Sequence, residues 1–139
     1  MKKVIIILMG IAMSITSANA QDKTTGKLQF ETDMHDFGAI QEGPDAAYDF
    51  VLTNTGKTPV IIKNATAGCG CTVAHWPTQP ILPGKSDKIH VTYHTSGRVG
   101  PFVKDIAILS DAEQAQTFVH IKGTVKSSTT AVAATVPAN

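Results

Sequence analysis

The sequence predicts an all-β fold, an Ig-like antiparallel β-sandwich of about seven strands. Short segments in which apolar and polar residues alternate recur along the chain, and this period of two is typical of half-buried strands. Glycine, proline and asparagine occupy the gaps between these segments, where turns are needed. The one stretch with a helix-like composition, residues 110–116, is too short to form a stable helix alone.

Residues 1–20 have the three parts of a secretory signal peptide. Two lysines follow the initiating methionine, residues 4–13 form an apolar run, and residues 14–20 are small and polar, with cleavage expected before Gln21. The apolar run is far shorter than the about 20 residues that a membrane-spanning helix needs. We therefore expect an exported chain, periplasmic or secreted, with no membrane span in its mature part.

The strands are predicted from their alternation. The clearest is residues 88–95, where Ile89, Val91 and Tyr93 alternate with polar neighbours and therefore share one face. Residues 46–53 place three large apolar side chains on one face in the same way. The other strands are expected over residues 28–32, 59–65, 71–76, 102–109 and 117–125.

Turn residues separate these strands. Asn54-Thr55-Gly56 ends the second strand, and Pro83-Gly84 suits the central pair of a type II turn. Asp36-Phe37-Gly38 is predicted to supply a core phenylalanine followed by a turn glycine. Residues 126–139 lack large apolar groups, so we predict a disordered C-terminal tail.

Composition and charge exclude several classes of protein. Residues 21–125 have the size of one domain that buries an ordinary core. The full chain of 139 residues is 42% hydrophobic and 17% charged, which excludes a disordered chain, a collagen and a coiled coil. Its net charge of +1 gives no long-range attraction for polyanions, so we expect no nucleic-acid partner.

The one concentrated chemical feature is Gly68-Cys69-Gly70-Cys71-Thr72, which holds both cysteines of the chain. On a regular strand, residues two apart share a face with their Cα atoms about 6.6 Å apart. That separation is near the upper limit of about 6.8 Å for a disulfide. A disulfide would therefore need a bent backbone, which the two glycines permit, and it would be strained and easily reduced.

Four interpretations of Cys69 and Cys71 stay open. In an oxidising compartment thiols pair or bind metal, so one interpretation is a short-range disulfide, structural or labile. Two thiolates on one face could instead bind a soft ion such as Cu(I), or one thiol could attack and its neighbour resolve in redox exchange. The fourth interpretation is two small, buried, inert side chains. Zinc is disfavoured because a closed zinc site takes four ligands and this pair supplies two.

Histidines are the other side chains that could complete such a site. His75 is nearest in sequence to the cysteines, four positions after Cys71, and is the candidate auxiliary residue. His90 and His94 point the same way on one strand but lie about 13 Å apart, too far for a single ion. With His35 and His120, they are expected to be polar, solvent-facing strand positions.

The segment from His35 to Val125 resembles a bacterial exported family, the domain of unknown function numbered fifteen-seventy-three. The resemblance implies export and a seven-stranded Ig-like sandwich, similar to domains of the abnormal-spindle and hydin type. It implies no established activity, and a sandwich scaffold hosts many functions. The motifs that carry the resemblance are Asp36-Phe37-Gly38, the run from Phe50 to Gly56, Gly68-Cys69-Gly70-Cys71-Thr72, Pro83-Gly84, Gly100-Pro101-Phe102-Val103-Lys104 and Ile121-Lys122-Gly123-Thr124-Val125.

Two classes of function follow. No catalytic constellation is visible, which favours a non-enzymatic Ig-like binding or structural module of the cell envelope, with a protein or a glycan as partner and no cofactor. The alternative is a thiol site at Cys69 and Cys71 that acts in redox exchange or binds Cu(I) or another soft metal.

Overall fold

A computed structural model describes residues 25–128 of the chain. The predicted signal peptide, residues 1–20, lies outside the described residues, as does the predicted tail from residue 129 onward. Lys126, the first residue of that tail, is the last residue of a strand. Within the described part, no helix has the length and apolar character that a bilayer crossing requires.

Within residues 25–128, eight strands form two four-stranded sheets, which confirms the all-β sandwich with one strand more than about seven. One sheet has the order β1-β3-β6-β5 and the other the order β2-β8-β7-β4. All neighbouring strands are antiparallel except β2 and β8, which run parallel. The strands are β1 (Leu28–Phe30), β2 (Met34–Gln41), β3 (Ala46–Asn54), β4 (Ile62–Ala67), β5 (Thr72–His75), β6 (Ser86–Tyr93), β7 (Gly100–Ser110) and β8 (Gln116–Lys126).

The added strand is β2, which contains Asp36-Phe37-Gly38. Phe37 packs against the core, as predicted. Gly38 is not a turn residue, however: it lies inside the strand with φ of 64°, and the pairing with β8 shifts register between Asp36 and Ala39. The Gly38 N–H donates to Asp36 Oδ1 at 2.8 Å, which stabilises this bulge.

The inner faces of the two sheets form one hydrophobic core. Ile89, Val91 and Tyr93 all point inward, as their alternation predicted, and Tyr93 stacks on Phe102 with ring centroids 4.0 Å apart. Burying each such side chain contributes about 1.5–3 kcal/mol. The largest fully buried apolar side chains are Phe50, Leu52, Ile89, Ile106, Ile108, Ile121, Val60, Val91, Val119 and Val125.

Loop geometry at Gly84 agrees with the predicted turn, whereas several strand boundaries differ from the prediction, most of all at β4. Gly84 has φ of 74°, and the Lys85 N–H donates to the Leu82 carbonyl at 3.0 Å, as a type II turn requires. The strand expected over residues 59–65 begins only at Ile62, because Val60 forms an isolated bridge to another loop. Residues 111–115 contain bends and no helix.

Asn54, at the end of β3, connects the loops at one end of the sandwich. Its side chain is fully buried and makes four hydrogen bonds. Oδ1 accepts from the N–H groups of Lys27 and Gly56 at 3.2 and 2.9 Å. Nδ2 donates to the carbonyls of Thr58 and Ile81 at 2.7 and 2.8 Å. The Asn-Thr-Gly sequence is therefore a buried junction as well as a turn.

Candidate functional site

The two cysteines lie in the crossover between the sheets. β4 is an edge strand of one sheet, β5 is an edge strand of the other, and residues 68–71 join them. Cys69 and Cys71 form a disulfide, with their Cα atoms 5.3 Å apart. This separation is shorter than the about 6.6 Å of a regular strand, because the chain turns between the two residues.

The two sulfurs differ in their surroundings. Cys71 is 5% exposed and belongs to the hydrophobic core, whereas Cys69 is only partly buried against it. Backbone bonds fix both residues: the Thr72 N–H donates to the Cys69 carbonyl at 3.4 Å, and the His94 N–H donates to the Cys71 carbonyl at 2.9 Å. One sulfur thus faces the protein interior and the other lies nearer to solvent.

The bend between the two cysteines does not depend on backbone angles that only glycine adopts. Neither Gly68 nor Gly70 has a positive φ, and a Cβ added at either would meet nothing within 4 Å. Both residues are exposed. These glycines therefore place no side chains of their own beside Cys69, which is itself partly buried against the core.

Thr72 is the residue beside the cysteines that sequence reasoning did not select. Its Oγ1 lies 3.9 Å from Cys69 Sγ and 3.8 Å from Cys71 Sγ. Thr72 is buried, on the inward side of β5. The signal available in the sequence was its place directly after the pair, at the start of a predicted strand.

His75 is not brought to the sulfurs. It is exposed at the end of β5, opposite His90 of β6. Four residues of extended chain, about 13 Å, separate its Cα from that of Cys71. Among residues 25–128, no group of three histidine, cysteine, aspartate or glutamate side chains is arranged to hold a metal ion.

Three of the other histidines pair with aspartates at the surface, two of them through hydrogen bonds. His90 Nδ1 lies 2.6 Å from Asp49 Oδ1, and Lys88 Nζ lies 2.6 Å from Asp49 Oδ2. These hydrogen bonds, Lys88 first, hold the pKa of Asp49 below its ordinary value. The remaining two pairs are His94 with Asp45 at 3.0 Å and His120 with Asp105 at 2.7 Å.

His35 departs from the solvent-facing prediction. Its ring stacks on Tyr48 with centroids 3.6 Å apart and meets the Phe37 ring edge-on at 4.6 Å. This burial lowers the pKa of His35, while the charge of Asp36 acts in the opposite direction.

A second feature is the outer surface of the β2-β8-β7-β4 sheet. Four large apolar side chains are exposed there, and we call them the apolar face: Met34, Val103, Leu109 and Phe118. Val103 is 64% exposed and Phe118 is 48% exposed. Phe118 pairs with Ala107 of β7, diagonally next to Leu109. Val103 lies opposite Lys122, and the Asp105–His120 pair separates it from Phe118. The alternation marked these positions as outward but did not give their arrangement across the strands.

Two stacked sheets of this connectivity form an Ig-like β-sandwich, and solved structures of similar fold include a PapD-like domain. The ASH/PapD-like domain 7 of human CEP192 is similar in fold, with a TM-score of 0.63 and 11% identity over 85% of this chain and 98% of that one. A protein of unknown function from Porphyromonas gingivalis W83 is similar with a TM-score of 0.64 and 17% identity over 73% of this chain, which spans 47% of its length. The E. coli chaperone DraB is similar with a TM-score of 0.51 and 10% identity over 74% of this chain and 56% of its own.

The family itself is given by the sequence. Residues 28–125 match the family described as Protein of unknown function (DUF1573), and the chain belongs to that family. No protein with a curated description is significantly similar to the chain.

Proposed function

We propose that this chain is an exported Ig-like module of the bacterial envelope that binds a protein partner and performs no catalysis by itself. The observation that carries the proposal is the apolar face. Exposed apolar groups gathered on one surface are characteristic of interaction sites, whereas singly scattered ones are not.

Charge on this surface favours a protein over an anionic partner. Lys122 Nζ lies 3.5 Å from Asp36 Oδ2, and His120 pairs with Asp105 in the neighbouring row. The charged groups among the apolar side chains of this surface are thus of both signs, which gives no strong attraction for an anionic glycan or a membrane. A partner surface with aliphatic or aromatic side chains, and polar groups at its rim, complements this arrangement.

Two further observations support the proposal. Residues 1–20 have the pattern of a signal peptide, which favours export and a periplasmic or secreted location. The fold is shared with DraB, which is described as a chaperone, a class of protein that binds other proteins.

The binding test compares matched valine substitutions on opposite sheets. Val103→Asp with Phe118→Ser disrupts the apolar face, and Val73→Asp is the control, since Val73 is 39% exposed on the other sheet. After capture from the envelope fraction, we expect one protein to bind wild type and the control but not the double variant. The captured protein, once purified, must bind saturably to wild type and to the control, and not to the double variant. Equal binding to all three, or no saturable partner, contradicts the proposal.

Export is tested separately. Mass spectrometry of the chain from fractionated cells should find Gln21 as the first residue in the periplasmic or extracellular fraction. An intact N-terminus in the cytoplasmic fraction contradicts export, whatever the binding experiment shows.

A second candidate function is thiol-disulfide exchange at Cys69 and Cys71. The disulfide favours exchange over soft-metal binding, because an oxidised pair offers no thiolate to Cu(I). We expect no free thiols in the chain isolated from the envelope. We also expect equal Cu(I) uptake by wild type and by a Cys69→Ser, Cys71→Ser variant. Greater uptake by wild type would favour the metal site instead.

A further inference from the structure

We infer that the disulfide opens by attack on Cys69, and that the Thr72 hydroxyl stabilises the thiolate that leaves from Cys71. This inference rests on the second proposed function, exchange at this pair. It assigns a different role to each of Cys69, Cys71 and Thr72.

Cys69 is the sulfur that an incoming thiolate reaches. It is only partly buried, and the exposed glycines on either side carry no side chain to obstruct the approach. Cys71 is 5% exposed among core residues. Access therefore directs the nucleophile to Cys69, with Cys71 as the leaving group.

Thr72 supplies the donor that the leaving sulfur needs. A thiolate forming at a buried position is costly unless a hydrogen bond compensates for lost water. The Thr72 hydroxyl, 3.8 Å from Cys71 Sγ, can rotate to donate to whichever sulfur becomes negative. Hydrogen bonds to charged acceptors are stronger than those between neutral groups, so the contact strengthens as the disulfide breaks.

The reductant is a dithiol, either an envelope oxidoreductase or a small molecule such as dithiothreitol. Its thiolate forms a bond to Cys69 Sγ, the bond between the two cysteines breaks, and the electron pair passes to Cys71 Sγ. The second thiol of the reductant then attacks its own sulfur in the mixed disulfide and releases Cys69. The reductant ends as a disulfide, and both cysteines end as thiols carrying the two protons that it lost.

A purely structural bridge is the weaker explanation of this pair. The cysteines are separated by 2 positions, and a disulfide that closes so short a loop removes little entropy from the unfolded chain. The crossover is also held by the backbone bond from His94 to Cys71.

The experiment measures the rate at which dithiothreitol reduces the oxidised, purified chain. Thr72→Val replaces the hydroxyl by a methyl group of similar size, and Thr72→Ser keeps the hydroxyl. We expect the valine variant to be reduced about tenfold more slowly, and the serine variant to stay near the wild-type rate. Circular dichroism and thermal unfolding of the oxidised forms confirm that each variant is folded.

Two further measurements make the outcome decisive. Brief reaction with glutathione, acid quench and peptide mass spectrometry should find glutathione on Cys69. In a Cys69→Ser chain, the pKa of the Cys71 thiol should be higher with Thr72→Val than with Thr72. Glutathione on Cys71, or equal rates and equal pKa values, overturns the inference while leaving exchange intact. If dithiothreitol reduces the folded wild type no faster than the urea-unfolded chain, the proposed thiol-disulfide exchange function is overturned, and the inference is overturned with it.

Discussion

Asn54→Ala is expected to be the most informative single test of the fold. The substitution removes all four side-chain hydrogen bonds at a fully buried position and leaves the N–H groups of Lys27 and Gly56 without their acceptor. The Ile81 carbonyl keeps its bond from the Val60 N–H at 3.0 Å. With a net contribution of about 1 kcal/mol for each hydrogen bond, the loss in unfolding free energy is about 4 kcal/mol. Because a domain of this size is stable by only about 5–15 kcal/mol, the effect is large.

Urea unfolding, followed by circular dichroism, measures this loss. Asn64→Ala is the matched control: Asn64 is half-buried on β4, and its truncation should change the unfolding free energy by no more than about 0.5 kcal/mol. Asn54→Asp adds a directional test, because its second oxygen would face the carbonyls of Thr58 and Ile81 at pH 7. It should be destabilised there and partly recover as the carboxyl group gains a proton. A loss below about 1 kcal/mol for Asn54→Ala would refute the view of Asn54 as a junction.

Three further predictions concern other parts of the sandwich. Gly56→Ala should cost more than about 2 kcal/mol in urea unfolding, since its Cβ would clash with the backbone nitrogen of Lys27, whereas Gly68→Ala should be nearly neutral. The folded-state pKa of His35 is lowered, so its contribution to stability is present above its ordinary value of 6.5 and is lost as pH falls below it. His35→Phe should accordingly flatten the loss of stability between pH 7.5 and pH 5.5, and an unchanged slope would contradict this. Replacing Cys69 and Cys71 by serine should lower the unfolding free energy by only about 1.6 kcal/mol, the loop-closure value for so short a loop.

Much of the sandwich follows from the sequence because a strand has a fixed period. Alternation alone placed Ile89, Val91 and Tyr93 inward, and the pleat of any β-sheet makes that assignment. The sequence did not predict β2, because the alternation of this strand is interrupted at Gly38, where the bulge adds a residue. Its parallel pairing with β8 is a contact between distant segments, which local patterns do not encode.

The candidate site was predictable in its composition but not in its geometry. The spacing of Cys69 and Cys71 placed the two sulfurs near each other, yet their bonding depends on a backbone turn that alternation does not describe. Thr72 was identified only once the structure placed its hydroxyl oxygen 3.8 Å from Cys71 Sγ. The apolar face needed the register of β7 with β8, because outward residues become neighbours only through strand pairing.

The two proposals occupy different parts of the molecule, and this makes them separable. β4 connects them, since it pairs with β7, which carries Val103 and Leu109 of the apolar face, and continues into the crossover. If the two functions are independent, Val103→Asp leaves the rate of disulfide reduction unchanged, and Thr72→Val leaves partner binding unchanged. If reduction moves β4, partner affinity differs between the oxidised and reduced wild type, and that difference disappears in the Cys69→Ser, Cys71→Ser chain. The pairing of β4 with β7, which includes Ala65 and Ala67, holds β4 in place more firmly than the single crossover does. We therefore expect the two functions to be independent.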